Sequence, residues 1–245
     1  MNVLALYDIH GNLDALEAVL ADPRAGGAEA IVVGGDVVPG AFASECLSLL
    51  RGHELPVHWV RGNGEREVAE AAAAGIDPDT VPPDALAHLT SALTASSLGA
   101  ETSAWLGTLP TTVELDGVLY CHATPRRDDE MLTRISPAER WVDALGGVEL
   151  PLVVGGHTHQ QDDRLVGRVR FVNAGSVGLP YEGDPAARWA WLADGTPELR
   201  RTEYDGAAAG RRMLGAGWPD QRSIDAALID PIDPMFITRL FEGVE

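Results

Sequence analysis

Short apolar runs alternate with amphipathic ones from the start of the chain. Val3–Tyr7, Ala30–Val33 and Val57–Val60 are too short for helices and read as buried strands. Between them, Asn12–Ala21 sets Leu13, Leu16, Val19 and Leu20 on one helical face, and Ser44–Leu50 is a second helix. This alternation predicts an α/β fold whose first strands are parallel. From Glu65 to about Pro110 the pattern changes to helix alone. Glu65–Ala74 and Pro83–Leu93 are predicted helices joined by a proline-rich turn, so residues 66–110 read as a helical insertion. Strands resume at Thr112–Glu114, Val118–Cys121, Leu152–Val154, Val169–Val172, Trp189–Leu192 and Leu199–Tyr204, with Asp116-Gly117 predicting a hairpin turn. The tail reads as glycine- and proline-rich turns plus one helix, Pro234–Phe241. The expected organisation is one domain over residues 1–245, with 206–245 as a C-terminal extension packed on it.

Composition narrows the class. The chain has 245 residues, 45% of them hydrophobic, enough for a substantial core. Its apolar runs stop well short of the ~18 residues a membrane helix needs, and no secretory leader is expected at Met1. Cys46 and Cys121 match no metal or redox spacing, so a reduced, cytoplasmic setting is expected. The formal charge is −19, and all 18 basic residues are arginine. A surface this acidic repels polyphosphate backbones, which disfavours nucleic acid as a partner. A small anionic substrate is compatible with it if cations reverse the field locally.

Candidate chemistry lies where the strands end. The tips read Asp8-Ile9-His10, Gly34-Gly35-Asp36, Gly62-Asn63-Gly64, Cys121-His122 and Gly156-His157-Thr158-His159. In parallel α/β sheets, ligands bind at the carboxyl ends of strands. Alternate residues of an extended chain point the same way, so Asp8 and His10 are expected to share a target, as are His157 and His159. Each tip has a bland alternative: Asp8 as a helix cap, Gly-Asn-Gly as a plain turn, a lone histidine as a satisfied polar residue. Repeated five times in order, they favour one explanation. Seven oxygen and nitrogen donors without a thiolate exceed one tetrahedral zinc site and suit two divalent ions about 3.5–4 Å apart.

This series resembles the calcineurin-like metallophosphoesterases, most of all their compact bacterial and archaeal phosphodiesterase branch, and Asn173-Ala174-Gly175-Ser176 is similar to the loop that follows the last histidine pair there. The resemblance spans residues 8–178. It implies a four-layer αββα sandwich, two mixed β-sheets flanked by helices, with two divalent metals held by loops at one edge. It further implies that Asp8, His10 and His159 hold one ion, that Asn63, His122 and His157 hold the other, and that Asp36 bridges them. Asp36, Asn63 and His122 are the expected catalytic positions. The metals used in the family are manganese, iron, zinc or nickel. The implied activity is hydrolysis of small phosphate esters by water activated between the ions, most of all of phosphodiesters.

One departure stands out. Phosphatase branches carry a histidine after the asparagine, thought to protonate the leaving alkoxide, and this chain has Gly64 there. Loss of such an acid costs typically 10²–10⁴-fold. Three alternatives follow: a good leaving group, another proton donor, or a non-catalytic metal-dependent binding or scaffold protein. A phosphomonoesterase or protein-phosphatase-like activity is the alternative among enzymes. An amidohydrolase fits less well, because that class opens with His-x-His on its first strand. Glu65 is expected to support a neighbouring donor. Arg126 and Arg127 are candidates for gripping substrate phosphate, set against a self-compensating surface loop, and Arg66 is a weaker one. His53, His58 and His88 fall outside every motif.

Overall fold

Alternate residues of each central strand enter different cores. In the computed structural model, which describes residues 1–244, β1 (Asn2–Leu6) sends Leu4 and Leu6 towards helices. Its Val3 and Ala5, with Tyr7 just beyond, face a second sheet. β2 (Ala30–Val33) divides Ile31 and Val33 from Val32 in the same way. This is the period-2 signature of a sheet covered on both faces, and each fully buried aliphatic side chain contributes about 1.5–3 kcal/mol.

Among the described residues the strands form two five-stranded sheets. In the first, β1, β2 and β3 (Val57–Trp59) run parallel, and β9 (Ala187–Ala193) and β10 (Thr196–Thr202) extend it antiparallel beyond β1. The second has β5 (Val118–Cys121), β6 (Leu152–Gly155) and β8 (Val169–Asn173) parallel at its centre. Its antiparallel edges are β4 (Thr112–Leu115) and β7 (Asp162–Val166). The outer face of the first sheet packs on α1 (Leu13–Leu20) and α2 (Ala43–Arg51) through Leu16, Val19, Leu47 and Leu50. The outer face of the second packs on α5 (Ala138–Ala144) through Trp141, Val153 and Phe171. The expected αββα sandwich of two mixed sheets is the observed architecture.

The helix α1 starts where Asn12 Oδ1 accepts from the Ala15 amide at 3.1 Å, so Asn12 is the cap and Asp8 is free for other work. The Asp116-Gly117 hairpin joins β4 to β5 with both residues at positive φ, as its turn type demands. In the expected insertion, α3 (Asn63–Ala73) packs against α4, which runs over Leu86–Gly107 rather than ending at Leu93. Gly99, at φ 76°, breaks it into two pieces. The second piece, residues 100–107, carries its large apolar residues only at its end, and burial of Leu106 and the edge-to-face contact of Trp105 with Trp59 hold it. The strand β7 carries the charged run Asp162-Asp163-Arg164 and lacked a strand pattern; pairing with β8 makes it one. The helix α5 is likewise short and unpatterned. In the tail, α6 (Gly206–Gly215) forms despite its glycines, capped by Asp205 and buried through Ala209 and Met213. A four-residue turn of helix, Gln221–Ile224, then precedes α8 (Pro234–Glu242), which Asp233 caps.

Candidate metal centre

Five strands deliver the predicted donors to one edge of the sandwich. Asp8 and His10 follow β1, Asp36 follows β2, His122 follows β5, and His157 and His159 follow β6. Asn63 follows β3 and is the first residue of α3. Backbone bonds zip these loops together: Asp8 N donates to Gly35 O at 3.1 Å and His10 N to Asp36 O at 2.9 Å. The His157 amide donates to Asp8 Oδ2 at 2.8 Å and the Gly64 amide to Asp36 Oδ1 at 2.8 Å. Each carboxylate thus has one oxygen tied down and one turned into the site.

The side chains gather as two triads, Asp8–His10–His159 and Asp36–His122–His157, each with donor atoms within 4.8 Å of one another. Between them, Asp36 Oδ2 lies 3.8 Å from His10 Nε2 and 3.4 Å from His122 Nε2. Asp8 Oδ1 is 3.5 Å from His159 Nε2 and 3.8 Å from His122 Nε2. One expectation from spacing is corrected. His157 and His159 do not share a target; they go to different triads. Asp8, His10, Asp36, His157 and His159 all sit at positive φ, between 46° and 70°, so the extended-strand rule does not apply past the strand ends. Non-glycine residues held there cost of order 1–3 kcal/mol each and cluster at functional sites.

The donor set fits divalent cations on chemical grounds. Asp8 Oδ1, Asn63 Oδ1 and His122 Nε2 are buried without a hydrogen-bond partner, a costly state for polar atoms unless a ligand meets them. The far nitrogens of three histidines face carbonyls: His159 Nδ1 donates to Leu179 O at 2.7 Å, His122 Nδ1 to Gly34 O at 3.0 Å and His10 Nδ1 to Pro39 O at 3.4 Å. That fixes the tautomer and turns each Nε2 lone pair into the site. The Nε2 atoms of His10 and His159 stand 3.1 Å apart. Two lone pairs so placed repel unless a proton or a cation lies between them.

The clustered donors also set one another's charge. Burial alone would disfavour charge on both carboxylates. Facing histidines outweigh it, His159 and His122 for Asp8 and His122 with His10 for Asp36, and hold both below the usual carboxylate range. Burial also opposes charge on His122, but Asp36 and Asp8 push its pKa up to about 10. His157 is pulled down to about 4 by burial and by its neighbour His122. Glu65, expected to support a donor, spans the loops from below: it accepts from the amides of Asp36, Val37 and Gly62 at 2.8 Å each. Its burial, with Asp36 close by, raises its pKa to about 7. Asn173, buried, donates to Gly156 O at 2.6 Å and to Thr158 Oγ1 at 3.0 Å, bracing the loop of the histidine pair.

The arginines are placed elsewhere. Arg126 pairs with Glu130 and Asp143, each at 2.6 Å, and Arg127 with Asp129 at 2.9 Å. Neither lines the cavity above the triads, so the expected phosphate grip is not there; an Arg-Arg-Asp-Asp-Glu loop compensates itself. Arg66 is held by Asp128 at 2.9 Å. His53, His58 and His88 lie outside both triads. The cavity, of about 480 Å³, has walls that the motifs did not disclose: Glu67, Leu86 and Thr90 from the helical region, Tyr181, and Trp218 and Phe241 from the tail. Trp218, Phe236 and Phe241, the large aromatics of the glycine- and proline-rich tail, were the one signal available. Burial pushes the Cys46 and Cys121 thiols up, so neither supplies a thiolate at neutral pH.

Two mixed sheets, with paired carboxylate–histidine clusters at their joint edge, define a metallohydrolase-type architecture. The model of the calcineurin-like phosphoesterase superfamily domain matches residues 1–192, and the chain belongs to that superfamily. A metallophosphoesterase from Sphaerobacter thermophilus aligns with a TM-score of 0.74 at 28% identity, over 95% of this chain and 99% of that one. A hypothetical protein from Pyrococcus horikoshii has the same fold, with a TM-score of 0.76 at 21% identity over 95% and 99% of the two chains. No curated protein matches the sequence. The chain is a metal-dependent phosphoric ester hydrolase by family. Among the described residues, no helix is long and apolar enough to cross a membrane.

Proposed function

We propose that this chain is a dinuclear-metal phosphodiesterase acting on small phosphodiesters, with Asp8, His10 and His159 around one ion, Asn63, His122 and His157 around the other, and Asp36 shared. The observation that carries the reading is the pair of facing triads, with Asp36 Oδ2 between them and buried, unpartnered donor atoms on both sides. When bound, two divalent ions (manganese, iron, zinc or nickel) lower the pKa of water held between them and neutralise charge on phosphate oxygens.

The chain's own residues fix the geometry. Asp36 is steered by the Gly64 amide, Asp8 by the His157 amide, and Glu65 holds the two loops in register. In the reaction, a water oxygen forms a bond to phosphorus while the phosphorus–oxygen bond to the leaving alcohol breaks. The products are a phosphomonoester and an alcohol, the water supplying the proton that the alcohol gains.

Charge supports a diester over a monoester. Among the described residues no arginine lines the cavity, and the chain has no lysine. Beyond the triads, its charged lining residues are Glu67 and Asp220, both acidic. A monoanionic diester meets less repulsion there than a dianionic monoester. The same reading takes residues 1–245 as one functional unit and a cytoplasmic setting as its place of action.

Protein loaded with Mn²⁺ is expected to hydrolyse bis-p-nitrophenyl phosphate faster than p-nitrophenyl phosphate, and Asp36→Ala to reduce that rate at least about a hundredfold. Absence of hydrolysis with manganese, iron, zinc and nickel alike, or an Asp36→Ala variant of full activity, would overturn the reading.

A further inference from the structure

The family match ends at residue 192, yet the cavity over the triads is closed by residues beyond it, Trp218, Asp220, Ser223 and Phe241. This tail is fastened to the site itself. Gln160, next to His159 and buried, donates through Nε2 to Pro234 O at 2.7 Å and to Tyr181 O at 3.0 Å. Its Oε1 accepts from Thr238 Oγ1 at 2.7 Å. At the far end of α8, Glu242 accepts from Thr133 Oγ1 at 2.8 Å, from Arg140 Nη1 at 2.9 Å and from the Ser136 hydroxyl. A helix pinned at both ends holds Phe241 at a fixed place on the cavity wall.

The rings on that wall form a sequence. Tyr181 lies nearly parallel to His159, with centroids 5.1 Å apart and planes inclined by 13°, and Phe241 meets Tyr181 edge-on at 6.1 Å. Trp218 packs with Tyr181 against the buried cluster of Leu179, Met213, Ile224 and Leu228. Opposite, Leu86 and Ala87 of α4 contribute aliphatic surface. A wall of this kind offers stacking and apolar contact but no cationic group for a second anionic moiety.

We propose that this wall is the subsite for a planar aromatic group carried by the phosphodiester, and that Trp218 and Phe241 of the tail are its specificity-determining residues. The proposal rests on the phosphodiester reading above for the charge of the ligand, and adds which group is attached to the phosphate. A compact cation such as a quaternary ammonium is the other ligand that aromatic and acidic residues attract. One face of Tyr181 is already covered by His159, and Phe241 stands edge-on to it with the planes inclined by 62°, so the rings form an open corner that takes the edge and face of a planar ring rather than a cage around a cation.

Calorimetric titration of Mn²⁺-loaded protein with diphenyl phosphate, dimethyl phosphate and glycerophosphocholine tests this. Wild-type protein is expected to bind diphenyl phosphate about tenfold or more tightly than dimethyl phosphate. Trp218→Leu and Phe241→Leu, which keep apolar packing, should each narrow that ratio to about threefold or less. If either fails to fold by circular dichroism, Trp218→Phe serves in its place and should give an intermediate ratio. Equal affinities in the wild type, a ratio unchanged by the substitutions, or tighter binding of glycerophosphocholine than of diphenyl phosphate would overturn the proposal. Ring-selective binding without turnover of bis-p-nitrophenyl phosphate would refute the hydrolase reading alone, and turnover without ring selectivity would refute the subsite alone.

Discussion

A Cβ on Gly64 would lie 2.0 Å from the carbonyl oxygen of Val38 and 2.9 Å from Asp36 Oδ1. The position where the resembling phosphatases carry a histidine is therefore filled by this chain's own loop, and the Gly64 amide is spent on Asp36. Adding a histidine there would not restore a proton donor; it would displace the Asp36 carboxylate, which lies between the two triads. Gly64→Ala is expected to destabilise the fold by about 1–3 kcal/mol through overpacking. It should also cut hydrolysis of bis-p-nitrophenyl phosphate at least about tenfold by moving Asp36. Urea unfolding and steady-state kinetics on that one variant check both parts, and a wild-type midpoint with a wild-type rate would contradict the close approach. Gly62 is equally confined, since its Cβ would meet Asp36 Oδ1 at 2.2 Å. In Gly62-Asn63-Gly64, then, the two glycines are required by close approach to the Asp36–Val38 loop rather than by turn geometry.

Between elements, a buried polar link joins the end of α1 to the edge of the first sheet. Asp22 Oδ2 accepts from Thr202 Oγ1 of β10 at 2.6 Å, and Thr202 Oγ1 accepts from Trp189 Nε1 of β9 at 2.9 Å. Arg24 closes the cluster by donating to both Asp22 oxygens. Hydrogen bonds from Arg24 first, then from Thr202, outweigh burial and hold the Asp22 carboxyl well below the usual range. A carboxyl whose folded pKa is depressed adds stability above its unfolded pKa of about 3.9. That stability is lost as pH falls through the folded value. Asp22→Asn should thus destabilise the protein at pH 7, and the gap to wild type should shrink below about pH 4. Urea midpoints measured from pH 7 to pH 3 read this directly; a gap that widens in acid would contradict it.

At the scale of the whole molecule, the fold concentrates negative charge where its strands converge. Asp8, Asp36 and Glu65 are all buried within one edge of a chain whose formal charge is already −19. Cations held there bind the folded form and not the unfolded one, so they stabilise it by mass action, by about 2.7 kcal/mol at a hundred times Kd. For a chain of this size that corresponds to roughly 5–10 °C in Tm. Chelation of Mn²⁺-loaded protein with EDTA is expected to lower Tm by that amount, and excess Mn²⁺ to restore it, as read by scanning calorimetry. A Tm indifferent to EDTA would count against a pair of buried cation sites. Trp218, Asp220, Ser223 and Phe241 of the tail, outside the family match, line the same cavity as the donors.

All seven candidate donors were legible in the sequence because each follows a short apolar strand, three of them (Asp36, Asn63 and His157) directly behind a glycine, and hydrophobic period and chain order are local properties. The αββα layering followed from the same order together with the resemblance. Spacing alone did not give how the donors pair: it set Asp8 with His10, which do share a triad, but also His157 with His159, which do not. The i, i+2 rule presumes extended backbone, and these residues turn into the left-handed region; the sets came from the resemblance. The self-compensating reading of the Arg-Arg-Asp-Asp-Glu loop was legible, since Asp129 and Glu130 lie within it; only the pairing of Arg126 with Asp143 depended on what the loop packs beside. The same holds for the cavity wall, built by Gln160 and Glu242 pinning a distant helix over the triads. Sequence alone determined which residues could do chemistry and at which strand ends they lie. Tertiary structure decided where spacing misleads, where a side chain is sterically barred and what lines the cavity above the triads, because these depend on contacts between segments far apart in the chain.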